Sequence, residues 1–480
     1  MKKLIALTCH GLLLAGLLPL VLSACVSLAP TYQRPAAPVP QSWPTGPAYG
    51  PAAGPATVAD ATAAIPWQSF FKDTRLQRVI AQALADNRSL RQSLAGIEAA
   101  RAQYRVTRAA SLPQIEATVG GTGSRSLLAL PGFPAAAYDS KTYSASLGLS
   151  NWEIDLFGRQ HSLNQAAFEN YLATAEGARA TRISLIAETA SAWLAYAADN
   201  AQLAIARQTE DSAQHSMEVT RRRLESGVAS RVDVSQAETL YQTARDDVAA
   251  LTASVAQDRN ALELLTGGPV DLSLLPTELP VETGWLMEIP SGLSSNALLE
   301  RPDVRQAEHT LKAANADIGA ARAAFFPELS LTANGGLEST ALSTLFSGGT
   351  NIWTLAPSLA LPVFNGGANV ANLALSKAQK QQAVAVYEQT LQSAFREVAD
   401  ALAVRGTIGE RLAAQQALVA AAQDSYRLAD ARYSKGVDTY LNSLDSQRTL
   451  YSAQRTLVTT RQSALDNSVT LYRALGGGIQ

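Results

Sequence analysis

The run Arg432-Tyr433-Ser434-Lys435-Gly436-Val437-Asp438-Thr439-Tyr440-Leu441-Asn442-Ser443-Leu444-Asp445-Ser446-Gln447 reads as a helix stop followed by a helix start, between two long Ala- and Gln-rich segments. Gly436 can take the left-handed conformation that ends a helix. Arg432 and Lys435 lie in the last turn before it, where the negative end of the helix dipole favours cations. Asp438 or Thr439 can cap the next helix. The same device stands around Gly227, between Arg221 and Asp233, with Ser230 and Asp233 at capping-box spacing. Gly227 and Gly436 are 209 residues apart, and so are Gly268 and Gly477.

What lies between these glycines repeats with them. Leu76 to Ala110 contains no proline and carries Leu, Ile and Ala at helical spacing. Beyond Pro113, Ile115, Ala117 and Val119 alternate with Glu116 and Thr118. After a loop, Tyr143, Ala145, Leu147 and Leu149 alternate with small polar residues, the period of a strand with one apolar face. Strands are thus expected at about 113–122 and 142–152. A proline-free long helix follows over about 159–226, on the order of 100 Å at 1.5 Å per residue, then a helix over about 230–266. Residues 67–268 form a first repeat and 269–295 a connector. A second repeat, 296–480, brings strands at about 327–336 and 351–361, a long helix at about 366–435 and a last helix at about 438–475. Arg91-Gln92 is echoed in Arg305-Gln306, and Pro113 in Pro327. Two copies at so long a period are a duplication rather than a solenoid.

Composition removes several function classes. Charged residues are 17% and the net charge is −2, so a basic nucleic-acid surface has no support. Only Cys9 and Cys25 occur, and Cys9 lies in a leader segment, which rules out an internal disulfide or a Cys-based metal site in the mature chain. His161, His215 and His309 sit on helical patterns without partner motifs and read as structural. No nucleophile triad, metal or phosphate-binding constellation is present, so neither an enzyme nor a cofactor is expected.

The leader is informative. Lys2 and Lys3 precede an apolar run from Leu4 to Leu22, which fits a signal peptide over 1–24. Pro19, Ser23 and Ala24 argue against an uncleaved anchor. Leu22-Ser23-Ala24-Cys25 resembles a bacterial lipobox, which makes Cys25 a lipidated N-terminus, and Val26 behind it points to the outer membrane. Residues 25–66 are rich in Pro, Ala and Gly and read as an extended strap. No other run is apolar and long enough for a membrane-spanning helix, so a chain that crosses a membrane must do so with strands.

Strands about ten residues long with one apolar face suit a transmembrane barrel. Four cannot close one, and open edges are not tolerated in lipid, so several chains must share a barrel under cyclic symmetry. The long helices lack a Leu heptad seam. Their Ala, Gln, Ser and Thr suit a hollow, water-filled cylinder better than a solid coiled coil.

The chain resembles the lipoprotein branch of the TolC- and OprM-like outer membrane factors of tripartite efflux pumps, over essentially its whole mature length. The resemblance rests on the lipobox, Pro30-Thr31-Tyr32-Gln33-Arg34-Pro35, Leu299-Glu300-Arg301-Pro302-Asp303-Val304-Arg305, Phe326-Pro327-Glu328-Leu329, Leu361-Pro362-Val363-Phe364-Asn365-Gly366-Gly367 and the two glycine tips. It implies a mainly α fold with transmembrane β: a homotrimer with a 12-stranded β-barrel in the outer membrane, continued by a 12-helix periplasmic α-barrel. It also implies a passive duct for drugs or other small molecules, served by a periplasmic adaptor and an inner-membrane transporter. By the same resemblance, Leu441 and Asp445 match positions that narrow the periplasmic aperture. Ser443 and Ser446 depart from the family's usual apolar residue and Ala, which makes this helix start more polar. Gly227, Val228, Ala229, Ser230, Gly436 and Val437 are the expected docking positions, since exposed turns are what an adaptor can reach. The alternatives are a periplasm-spanning structural coiled-coil lipoprotein and a duct for type I protein secretion. Amphipathic strands discriminate against the first.

Overall fold

A computed structural model describes residues 27–49, 66–128, 136–279, 295–348 and 350–477. The leader, Cys25 and most of the connector lie outside the described residues. Beyond a single turn at Trp67–Phe70, the α-helices are α1 (Thr74–Asp86), α2 (Arg88–Ala109), α3 (Arg159–Glu225), α4 (Arg231–Thr266), α5 (Pro302–Ala323), α6 (Ala368–Ser434) and α7 (Tyr440–Ala474). The strands are β1 (Ile115–Leu128), β2 (Ala136–Ile154), β3 (Glu328–Ser339) and β4 (Asn351–Ala360). Both long helices, α3 and α6, have 67 residues, and the helices that return from them, α4 and α7, have 36 and 35. None of the described helices is long and apolar enough to cross a membrane.

The residues group into two compact units. One comprises the strap up to Pro35 with Gly96–Thr174 and Gln306–Tyr387. Its four strands form one antiparallel sheet in the order β1-β2-β3-β4, with β1 and β4 at the edges. Register places Ile115, Ala117 and Val119 against Leu149, Leu147 and Ala145, and Leu149 against Ala333. Ala333, Leu331 and Leu329 oppose Leu355, Pro357 and Leu359. Because paired residues share a face and the period is two, these side chains make one continuous apolar face. Glu116, Thr118, Ser144, Ser146, Thr332 and Asn334 lie on the other. A bulge between Leu149 and Trp152, with Asn151 at φ 50°, adds one residue and returns Trp152 and Ile154 to the apolar side. The strands run past the alternation seen in the sequence. β1 continues through Gly120–Leu128 and β2 begins at Ala136, held by backbone pairing rather than by an apolar pattern.

In the same unit Ala166, Ala313 and Ala316 pack together, and small residues let backbones approach. A Cβ on Gly319 would lie 2.5 Å from Ser162 Oγ and 2.8 Å from Ala29 N. The strap is seated there: Asn315 Nδ2 donates to the Pro30 carbonyl at 2.7 Å and Arg322 to that of Leu28 at 2.9 Å. Arg34 and Tyr32 both donate to Glu308. Burial raises the Glu308 carboxyl, but the hydrogen bonds from Arg34 and the charge of Lys312 outweigh it and hold it below its usual range.

The second unit comprises Ala36–Ala95, Ala175–Arg305 and Glu388–Gln480. Phe70 and Phe71 are fully buried, and Phe70 stacks on Tyr472 with centroids 4.3 Å apart. The single helix expected from Leu76 to Ala110 is broken at Asn87, whose backbone is extended (φ −60°, ψ 130°). Its buried side chain accepts from Leu90 N and donates to the Leu265 carbonyl at the end of α4. In the second repeat the matching break is Arg301, which donates to the Ala474 carbonyl at the end of α7 and to Asp303 and Glu397. Leu265 and Ala474 are again 209 residues apart. A last-turn carbonyl is thus satisfied in each repeat by a different side chain.

Candidate functional site

Four helix ends close with the same backbone device. At Gly227, Gly227 N donates to Leu224 O and Val228 N to Arg223 O. At Gly436 the pairs are Gly436 to Tyr433 and Val437 to Arg432. This is the Schellman arrangement, with φ +74° and +73° at the two glycines. Gly267 and Gly476 repeat it at the opposite ends of α4 and α7, with Gly268 N to Glu263 O and Gly477 N to Tyr472 O. L side chains rarely adopt this φ, which explains why glycine stands at each tip.

The two tips differ in how the next helix starts. Ser230 Oγ accepts from Asp233 N at 3.1 Å and Asp233 accepts from Ser230 N at 2.8 Å, so the capping box forms at the first tip. At the second, Thr439 makes no side-chain cap bond. Asp438 accepts from Thr439 N, from Asn442 and from Arg432 at 3.1 Å. The Thr439 N–H above all, then Arg432 and Asn442, holds the Asp438 carboxyl below its usual range. Arg432 is therefore engaged by a carboxylate, in addition to any favourable term from the helix dipole.

Below the tips, the α3–α4 and α6–α7 hairpins are tied together. Tyr440 and Leu444 pack with Ala213, Ala237 and Leu240, against which Met217, Tyr241 and Tyr433 also rest. Arg223 lies 4.3 Å over the Tyr433 ring and donates to the Tyr433 and Ser434 carbonyls at 3.2 and 3.1 Å, capping α6 from the neighbouring hairpin. Tyr451 and Arg455 both donate to Asp247, at 2.7 and 2.9 Å. Gln447 reaches Ser212 at 3.0 Å. The Tyr440 hydroxyl is buried without a partner among the described residues, and burial raises it well above its usual range. No local pattern in the sequence marks Arg223 or Asp247 as ties between hairpins; for Tyr433 the signal is its seven-residue spacing from Tyr426 and Tyr440.

Over the first turns of α7, residues 440–451, the buried positions are Tyr440, Ser443, Leu444, Gln447 and Tyr451. Leu441 and Asp445 lie on the other side, one turn apart, with Leu441 51% exposed. Arg448, three residues beyond Asp445 and so at helical spacing to pair with it, instead donates to Thr239 at 2.7 Å. Among the described residues Asp445 has no ion pair within 4 Å. Ser443 is 3% exposed and faces inward toward Asp430, so its polarity is spent inside the hairpin pair rather than beside Leu441. Ser446 bonds its own helix, at the Asn442 carbonyl. Of the docking positions, Gly227, Val228, Ser230, Gly436 and Val437 are exposed and Ala229 is half-buried. Val228 and Val437 project at 77% and 64% exposure.

Comparison with known proteins fits this geometry. The family model described as outer membrane efflux protein matches residues 79–268 and 293–477, one copy on each repeat. The probable efflux pump outer membrane protein TtgC of Pseudomonas putida is 47% identical over 464 residues, covering 95% of this chain and 93% of that one. A solved membrane protein from Pseudomonas aeruginosa is 41% identical with a TM-score of 0.85, over 94% of this chain and 98% of that one. The open-state MtrE outer membrane channel of Neisseria gonorrhoeae is 35% identical with a TM-score of 0.82, over 94% and 98%. The fold is that of the TolC-like channels, which combine a β-barrel with an α-barrel. By sequence, by repeat and by fold, the chain belongs to the outer membrane efflux protein family.

Proposed function

We propose that the chain is one subunit of a trimeric efflux duct that crosses the outer membrane as a β-barrel and extends into the periplasm as helices. The observation that carries this is the open four-stranded sheet, apolar on one face and, among the described residues, unpaired at both edges. Unsatisfied edge groups in lipid cost several kcal/mol each, and three such sheets supply twelve strands that close on themselves. Edge strands of 14 and 10 residues give the neighbouring copies a ladder to complete. A structural coiled-coil rod has no use for this sheet. The similarity to proteins named for efflux favours small-molecule cargo over secreted protein.

Within that duct Leu441 and Asp445 narrow the periplasmic opening. Three-fold symmetry turns each into a ring: Leu441 an apolar one that gates by dewetting, Asp445 a carboxylate ring that favours cations. The free face of α7 at these two residues supports the assignment. Gly227, Val228, Ala229, Ser230, Gly436 and Val437 meet a periplasmic adaptor, which couples the duct to an inner-membrane transporter. Cys25, processed and lipidated, anchors the chain to outer membrane lipid. The strap seated on Asn315, Arg322 and Glu308 fixes where that anchor begins.

The purified protein is expected to run as a heat-dissociable trimer on gels and to conduct ions in planar bilayers. A monomer that conducts nothing overturns the reading.

A further inference from the structure

The β1–β2 hairpin outruns the rest of the sheet. Pairing of β2 with β3 ends at Tyr143 opposite Ser339, whereas pairing with β1 continues to Ala136 opposite Leu128. The apolar face on β2 runs from Ile154 to Tyr143. Eleven steps of about 3.3 Å give about 36 Å along the strand, and a tilt of about 40° reduces this to about 28 Å, close to the roughly 25 Å apolar band of outer membrane barrels. Tyr143 therefore stands where the aromatic girdle belongs, at the end of the sheet away from the helices.

The next positions on that same outward face are charged. Lys141 opposes Gly123, and Arg125 opposes Asp139 two residues further on. Lys141 is exposed and has no carboxylate within 4 Å among the described residues. Arg125 and Asp139 are mostly exposed and only 3.7 Å apart. Diagonal neighbours such as Arg125 and Lys141 lie within reach of long side chains, and nothing would touch a Cβ added at Gly123 between them. The patch thus holds two cations over a gap, with one carboxylate beside Arg125, and carries a net positive charge.

We infer that Lys141 and Arg125 form a contact site for the phosphate groups of outer-leaflet lipid, with Lys141 as the principal donor. This rests on the outer-membrane reading, in which the helical end is periplasmic and the hairpin end faces the outer leaflet. Charge complementarity carries it: an exposed, unneutralised lysine directly above an aromatic position sits at headgroup depth. The hairpin brings the arginine to the same side.

The test uses the full purified trimer in detergent, following its melting with diphosphorylated lipid A, with the dephosphorylated lipid and with inorganic phosphate. The phosphorylated lipid is expected to raise the melting temperature, the dephosphorylated lipid by less than half as much, and inorganic phosphate not at all. Lys141→Gln with Arg125→Gln should lose at least half of the shift, and Lys141→Arg with Arg125→Lys should keep it. An equal shift in the Gln variant, an equal shift with dephosphorylated lipid or inorganic phosphate, or loss in the charge-keeping variant overturns the inference. Conductance separates this from failure of the duct reading. A Gln variant that conducts like wild type leaves the duct intact, whereas a wild type that never conducts refutes the duct itself.

Discussion

At the Gly227 tip Ser230 and Asp233 satisfy each other's backbone, and the helix start is closed by its own residues. At the Gly436 tip the same glycine turn is followed by Thr439, which caps nothing, and by Asp438, which spends its carboxylate on Thr439, Asn442 and Arg432. The backbone of the duplicated unit has been kept and its side chains have diverged. One hairpin tip is self-contained. The other presents an exposed Leu441 and Asp445 from the helix it starts, the latter without an ion pair among the described residues. Divergence of this kind lets two copies of one unit share a scaffold while their tips present different side chains.

The comparison extends to the buried breaks, where the largest effect is expected. Arg301 is 7% exposed, bonded to two carboxylates and a helix-end carbonyl, while its counterpart Asn87 is neutral. Removing one partner of a buried ion pair costs about 3–5 kcal/mol, and losing a cap costs about 1 kcal/mol. Arg301→Ala should therefore lower the denaturation midpoint far more than Asn87→Ala, and equal midpoints would break the asymmetry. Gly227→Ala and Gly436→Ala should each cost about 1–2 kcal/mol, since a non-glycine residue must hold a left-handed φ. Neither added Cβ meets a neighbour, so the two costs should match in denaturant titrations. Unequal costs would show that the tips are not the same device. Smaller still, Ser230→Ala should cost about 1 kcal/mol and Thr439→Ala close to none.

Titration separates other carboxyls by sign. Burial first, then the charge and hydrogen bond of Asp199, raises Asp258 to about 6. Between the usual carboxyl value and about 6 the folded chain holds a proton that the unfolded chain has lost. Stability from this group is full at the acid end and falls as pH rises through that window. Asp438, held low, acts in the opposite sense, and its contribution is lost as pH falls through its folded value. Asp258→Asn should flatten the loss between about pH 4 and 6 in thermal melts. An unchanged profile would remove Asp258 from the account.

Much of the fold was legible because local rules agreed. The Gly227 and Gly436 stops, the Ser230 box and the alternation at Ile115–Val119 and Tyr143–Leu149 each need only their own neighbours. What stayed hidden depends on distant partners. Asn87 breaks a helical pattern because the Leu265 carbonyl lies beside it, 178 residues away in sequence. The strand ends at Gly120–Leu128 are held by cross-strand bonds, with no apolar period to announce them. At the tip, Leu441 and Asp445 could be named by resemblance. The Arg223 clamp on Tyr433 joins hairpins more than 200 residues apart, which no local pattern reveals.

The central claim is that the second tip, and not the first, sets the aperture. Single-channel conductance of Leu441→Ala with Asp445→Ala tests it most directly in planar bilayers, beside Val228→Ala with Val232→Ala at the first tip, where both valines are exposed and Val232 stands 209 residues before Leu441. The account predicts a clear rise for the first pair and wild-type conductance for the second. Unchanged conductance in the Leu441 and Asp445 variant would contradict it.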